Sequence, residues 1–342
     1  MPNLPDLPNL PDLLNLPGLP DLPNPDPLRS PIVLLGSFAP GEEQLWLDAL
    51  RRAMPTERIL TADQIDDDRD VELAIVANPD PSVVRRFEAL EWVQSLWAGV
   101  EKLVAEPAFS RLPMVRMVDP QLARTMAEAV LAWTLYLHRD MPTYLAQQRA
   151  TEWRQLPYTA PSARRIGILG LGELGTAAAQ TLHHAGFVVQ GWSRTPKRNA
   201  QLDGVTTFSG VEGLQVMSRQ SDILVCLLPL TAQTRHLIDA KLFQALPRDA
   251  CLINFGRGAL VATQDLLAAL DQGRLKHAVL DVFEQEPLPP QSPLWAHPRV
   301  TVLPHISADT DPASASLIVA RNVGSWRQTG QIPPAVDKVR GY

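Results

Sequence analysis

Ile166-Gly167-Ile168-Leu169-Gly170-Leu171-Gly172-Glu173-Leu174-Gly175 is the stretch that decides the fold. A short apolar run reads as a buried strand, and the G-x-G-x-x-G that follows opens a helix running to His184, which is the setting a phosphate-cradling glycine loop requires. Gly170 permits a tight turn, Gly172 lets backbone N–H groups approach a pyrophosphate, and Gly175 allows the helix to pack closely on the strand. Glu173 and Leu174 complete the loop, whose helix N-terminus adds a partial positive charge. Outward from it the pattern repeats, with strands expected at Phe187–Trp192, Ile223–Leu228, Ala250–Phe255, Ala278–Phe283 and Val300–Leu303 and a helix over Thr263–Gln272. Strands alternating with helices make a doubly wound parallel sheet of the dinucleotide-binding kind.

The end of the second strand distinguishes the nucleotide. An acidic residue there would accept the ribose 2′-OH of NAD, but the chain has Ser193 and Arg194, followed by Thr195, Lys197 and Arg198. A guanidinium can clasp a 2′-phosphate bidentately, so NADP is preferred and NAD remains possible. The alternative is a cluster of solvated loop charges.

Arg257, Glu286 and His305 each stand just after the C-terminal end of a strand in the later half of this sheet, the edge at which open α/β sheets bind ligands. Reduction of a 2-oxo acid needs a cation for the carboxylate, a proton donor for the carbonyl oxygen and a group that keeps this donor charged. Arg257 offers a planar fork, His305 can give and take a proton, and Glu286 would favour the imidazolium. A single histidine is more often structural; the shared placement of the three residues is what carries the reading.

The chain begins differently. Residues 1–30 cycle through Leu-Pro-Asp and Leu-Pro-Asn, which forbids helix and sheet ladders and favours a disordered extension, with a docking peptide as the alternative. From Pro31 a second, smaller α/β pattern starts, with strands at Ile32–Leu35, Leu73–Ala77 and Trp92–Trp97 and a helix over Glu42–Met54. Trp97-Ala98-Gly99-Val100 closes the third strand, and N–H groups around Gly99 can hold a small carboxylate unless this is an ordinary strand-ending turn. A helix over Ala123–Arg139, continuing toward Trp153, can link two domains or face a second subunit. A last helix, Pro312–Gln328, can pack back on the first domain and make it discontinuous.

Composition excludes much else. A chain of 342 residues with 45% hydrophobic and 20% charged residues builds a core, and a net charge of −6 argues against nucleic acid as a partner. No apolar run approaches a membrane span, no early basic residue marks a secretory signal, and the cytoplasm is the expected compartment. Cys226 and Cys251 each sit in an apolar strand and suggest buried thiols in a reducing compartment. The neighbouring His183 and His184 lack ligand spacing, so no metal is expected.

The pattern resembles the D-isomer-specific 2-hydroxyacid dehydrogenases, particularly their glyoxylate/hydroxypyruvate reductase A branch. The resemblance rests on Trp97–Val100, the glycine loop, Leu228-Pro229-Leu230-Thr231 with Thr234, Asn254-Phe255-Gly256-Arg257-Gly258, Leu280–Pro289, Ser292-Pro293-Leu294-Trp295 and Leu303-Pro304-His305-Ile306-Ser307. It implies a substrate domain over 31–121 and 307–342, a central Rossmann-type nucleotide domain over 122–306, and a homodimer formed through the helix after Leu122. It also implies Arg257 as substrate anchor, His305 as acid/base and Glu286 as its partner. Leu228, Pro229, Thr234, Phe255, Gly256 and Ser307 would flank the cofactor, and Asp281 would lie near the nicotinamide carboxamide. Phe255, where many relatives carry a small residue, and the Pro-rich extension depart from the pattern. The expected activity is NADPH-dependent reduction of a small 2-oxo acid, glyoxylate or hydroxypyruvate. A bulkier 2-oxo acid is the alternative, and a non-catalytic nucleotide sensor a remote one.

Overall fold

The computed structural model describes residues 29–197, 202–338 and 340–341. The Pro-rich extension up to residue 28, and Arg198 of the basic cluster, therefore lie outside the described residues. The chain runs β1 (Ile32–Gly36), α1 (Glu42–Ala53), β2 (Ile59–Thr61), β3 (Leu73–Ala77), α2 (Pro81–Val84), β4 (Trp92–Ser95), α3 (Glu101–Ala105) and β5 (Met114–Val115). It then crosses through α4 (Pro120–His138) and α5 (Met141–Arg149). The second region follows: β6 (Arg165–Leu169), α6 (Glu173–His184), β7 (Val188–Ser193), β8 (Thr206–Ser209), α7 (Gly210–Ser218), β9 (Ile223–Cys226) and α8 (Ala240–Ala245). It continues with β10 (Ala250–Asn254), α9 (Thr263–Asp271), β11 (Leu275–Leu280) and β12 (Val300–Val302), and the chain closes with α10 (Pro312–Thr329).

Two wholly parallel sheets result. The first has five strands in the order β2-β1-β3-β4-β5, and the second has seven in the order β12-β11-β10-β9-β6-β7-β8. In the second, the chain starts at the centre, winds one way through β7 and β8 and then returns past β6 to β9. This reversal opens a crevice at the C-terminal edge beside the β6–α6 turn. Burial on both faces explains the near-continuous apolar strands, such as Leu73–Ala77 and Ile223–Cys226, every residue of which is buried.

The long helix expected to run toward Trp153 is instead two helices. Asp140 adopts a left-handed backbone (φ 57°) between α4 and α5, and Lys276 pairs with its carboxylate. α4 starts where Asp119 accepts from Gln121 N and Pro120 supplies a preset φ, and Met126, Ala127, Val130 and Leu137 then pack into the core shared with α6. At the other crossing Asp311 caps α10, and Ser314 Oγ donates to Asp119 Oδ2 at 2.6 Å, so the two crossings are bonded to each other. α10 does pack back on the first sheet: Ala315, Val319, Val323 and Trp326 join Ile32, Trp46 and Trp92 in one buried cluster. Cys226 and Cys251 are buried free thiols, and desolvation pushes both up to about 12. Among the described residues no helix is long and apolar enough to cross a membrane.

Candidate active site

β6 ends at Leu169 and α6 begins at Glu173, so the chain must turn within three residues. Gly170 does so at φ 102°, a conformation L side chains rarely adopt, and a β-carbon there would approach the Leu227 carbonyl oxygen to 2.8 Å. A β-carbon on Gly175 would overlap the Gly170 carbonyl oxygen, whereas one on Gly172 would meet nothing within 4 Å. The outer glycines thus solve a packing problem, and Gly172 leaves open space at the start of α6, the end of a helix whose first N–H groups have no intrahelical partner. Glu173 is exposed in that turn, while Leu174 packs against the α4–α6 core. At the end of β7, Ser193 is buried and its Oγ donates to Thr195 O at 2.7 Å, a turn that leaves Arg194 and Lys197 exposed.

Two further loops line the same edge. In the loop after β9, Thr234 Oγ1 donates to Pro229 O at 2.7 Å and accepts from Thr231 N at 2.8 Å. Leu228 and Phe255 turn their side chains into opposite cores of the sheet, so at the crevice they offer only backbone. After β10, Asn254 clamps the turn from both ends: Oδ1 accepts from Gly256 N at 3.2 Å and Nδ2 donates to Arg257 O at 3.0 Å. The clamp aims Arg257 away from the strand, with Nη1 donating to Gly256 O at 2.8 Å.

Asp281, 2% exposed, follows β11 and accepts from both Ile306 N (2.8 Å) and Ser307 N (2.9 Å). It thereby holds the loop after β12, in which His305 sits at φ 58°, a strained conformation for a residue with a β-carbon. Glu286 Oε1 accepts from Phe283 N at 2.8 Å, and Oε2 accepts from His305 Nδ1 at 2.8 Å. That bond leaves Nε2 as the nitrogen free to act. The hydrogen bond from Glu286, with the negative charges of Glu286 and Asp281, raises the His305 pKa against burial and the charge of Arg257. For Glu286, burial pushes upward, but the bonds from His305 and Phe283 N and the charges of His305 and Arg257 together bring its pKa below the usual value. Arg257, Glu286 and Asp281 are thus all brought within electrostatic reach of His305.

The first sheet contributes the opposite wall. Trp97 is partly in its core, edge-on to Trp46 at 5.8 Å, so its backbone rather than its ring is what the turn offers. The Arg257 guanidinium lies over Gly99, where any β-carbon would overlap it. Glu101, just past Val100, is salt-bridged to Arg257. Sequence reasoning missed Glu101 as a site residue, together with the clamp by Asn254 and the anchoring by Asp281 of the His305 loop. An acid two residues after a cleft glycine was visible, but its reach to Arg257, 156 positions away, was not. Among the described residues no group of His, Cys, Asp and Glu is arranged to hold a metal ion.

A nicotinamide dinucleotide fits these residues. Open space lies over Gly172, cations flank the end of β7, and Ser307 Oγ, two residues after His305, is buried with no hydrogen-bond partner among the described residues. The family model described as D-isomer specific 2-hydroxyacid dehydrogenase, NAD binding domain, matches residues 131–307. A D-isomer specific 2-hydroxyacid dehydrogenase from Xanthobacter autotrophicus Py2, solved with NADPH and MES, is 38% identical over 92% of this chain and 100% of its own, with a TM-score of 0.86. An NADPH-dependent glyoxylate/hydroxypyruvate reductase from Sinorhizobium meliloti, solved with NADP and sulfate, is 35% identical over 92% and 100%, with a TM-score of 0.85. A probable 2-hydroxyacid dehydrogenase from Rhizobium etli CFN 42, solved with NADP, HEPES and L(+)-tartaric acid, is 32% identical over 92% and 100%, with a TM-score of 0.83.

Proposed function

The chain belongs to the D-isomer specific 2-hydroxyacid dehydrogenase family, and from that premise we propose that Arg257, His305 and Glu286 reduce a small 2-oxo acid at the crevice beside the glycine loop. The protein is an NADPH-dependent 2-oxo acid reductase, with glyoxylate and hydroxypyruvate as its leading substrates. The observation that carries the residue roles is the Glu286–His305 bond of 2.8 Å on the same edge as Arg257. A nicotinamide nucleotide, when bound, would supply the hydride for the reduction. Arg257 receives the substrate carboxylate, and its positive charge stabilises the oxyanion developing on the carbonyl. His305 donates the Nε2 proton to that oxygen, and Glu286 stabilises the imidazolium before transfer. Asp281 fixes where Nε2 points by holding the two N–H groups that follow His305.

The cofactor contacts follow the same logic: backbone at Gly170, Gly172, Gly175 and Gly256 for the pyrophosphate side, and Arg194 with Lys197 for a 2′-phosphate. In this reading 31–121 with 307–342 form the substrate domain and 122–306 the nucleotide domain. The exposed apolar residues Leu135, Met141, Tyr144 and Leu145 on α4 and α5, with the fully exposed Trp153 beyond them, support a homodimer formed through these helices.

The test is nucleotide absorbance during addition of a panel of 2-oxo acids. NADPH should be consumed with glyoxylate and hydroxypyruvate at a kcat/KM at least about tenfold above that with NADH, as expected for losing a charge-assisted contact. Equal use of both nucleotides overturns the cofactor assignment, and no consumption with any 2-oxo acid overturns the function.

A further inference from the structure

The guanidinium that should receive the substrate carboxylate already holds one. Glu101 opens α3 and comes from the first sheet, and its Oε1 accepts from Arg257 Nε across the cleft. Arg257 Nη1 meanwhile donates to Gly256 O. Each edge of the fork therefore has one donor engaged, while a bidentate carboxylate needs two donors of one edge. The Gly256 bond is internal to the Arg257 loop, whereas the Glu101 bond spans two sheets and is the one a ligand entering between them meets. Both partners are largely withdrawn from water, with side-chain exposures of 20% for Glu101 and 33% for Arg257. They also share one platform: Glu101 Oε2 lies 3.1 Å from the point where a Gly99 β-carbon would stand, over the turn suited to a small carboxylate.

We propose that Glu101 is a specificity-determining residue of the substrate site, a resident carboxylate that the substrate's own must displace from Arg257 and whose charge rejects substrates carrying a second carboxylate. The proposal rests on the reading of Arg257 as substrate anchor. Displacement exchanges one carboxylate for another on the same cation, so it weakens binding of every 2-oxo acid. Once displaced, Glu101 loses its counter-charge to the substrate. The other acids of the cleft keep theirs, because Asp281 retains two N–H donors and Glu286 retains His305 and Phe283 N. A glyoxylate hydrogen or a hydroxymethyl group tolerates the released carboxylate, and a second anionic group is repelled by it.

The experiment measures steady-state kinetics with NADPH in excess, using glyoxylate and the 2-oxo dicarboxylate oxaloacetate. It also measures equilibrium binding of the non-reducible analogue oxamate to the enzyme–NADPH complex by nucleotide fluorescence. Glu101→Gln should lower the oxamate Kd and the glyoxylate KM by about threefold to tenfold, and raise the oxaloacetate-to-glyoxylate ratio of kcat/KM by about tenfold or more. Glu101→Asp, shorter by one methylene but still charged, should bind oxamate more tightly while keeping the ratio near that of the wild type. An oxamate Kd that is unchanged or higher in Glu101→Gln, or an unchanged ratio, overturns the proposal. A wild-type enzyme that reduces no 2-oxo acid overturns the underlying functional reading, and that result is read before any variant is made.

Discussion

Two parts of the same edge of the seven-stranded sheet are built on opposite principles. The Gly170–Gly175 turn is shaped by missing atoms: a β-carbon at either end would run into backbone carbonyl oxygen. The loops carrying Asp281, Glu286 and His305 are shaped by charged hydrogen bonds, with two carboxylates holding three N–H groups and one imidazole. The first is a steric device, indifferent to pH and salt, suited to holding a polyanion by its backbone. The second is electrostatic, and the bonds that position His305 also set its proton affinity. An enzyme of this kind needs a fixed seat for the nucleotide and a tunable proton donor for the substrate.

That contrast can be broken most severely at His305. His305→Ala should lower kcat by ~10²–10⁴-fold, as loss of a general acid does, with little change in the NADPH dissociation constant; full turnover would remove His305 from the mechanism. Next comes Asp281→Asn, which keeps one acceptor but weakens the grip on the His305 loop. Displacing the imidazole by even a fraction of its reach should cost about 10²-fold in kcat, and an unchanged kcat would show that Glu286 positions His305 unaided. Gly175→Ala tests the steric loop. It should cost about 1–3 kcal/mol through overpacking against Gly170, seen as a lower melting temperature and weaker NADPH binding whose deficit does not vary between pH 6 and 8.

Glu286→Gln gives the subtlest effect and the sharpest contrast with Gly175. If His305 is the proton donor as proposed, its raised pKa means that the imidazolium persists to higher pH than for an unassisted histidine, and kcat/KM should fall only as pH rises through that raised value. Removing the carboxylate should shift the falling limb toward acid, so the loss is greater at pH 8 than at pH 6. The reverse oxidation, which needs the neutral ring, should gain at the acid end instead. A falling limb that stays in place would separate the proton donor from Glu286.

The steric loop was legible in sequence because glycines forced by geometry appear as glycines, and β6, α6 and β9 follow from them. Arg257, Glu286 and His305 were legible as a set because each lies in the loop that follows a strand, and topology brings such loops to one edge. The short strands β2, β5 and β8 escaped because a few residues, such as Met114–Val115, carry no period of their own and are ordered by a neighbour. The break at Asp140 escaped because apolar residues recur past it at Met141, Tyr144 and Leu145, although Pro142 in the first turn of α5 is a helix-start signal, and the pairing of Asp140 with Lys276 on β11 is long-range. Asp281 was assigned to the cofactor by family likeness, whereas its bonds to Ile306 and Ser307 are long-range and have no local signature.

The return of α10 to the first sheet also has a consequence for how the polypeptide is made. Trp326 packs edge-on against Trp92 at 5.7 Å and closes a cluster whose other half lies in β1, α1 and β4. During synthesis, the first-emerging half must wait with that apolar face open until Pro312–Thr329 leaves the ribosome, while the central sheet can fold as its own strands emerge. The part translated first is completed last, and a chain halted shortly before α10 would present Ile32, Trp46 and Trp92 to any chaperone that reads exposed hydrocarbon.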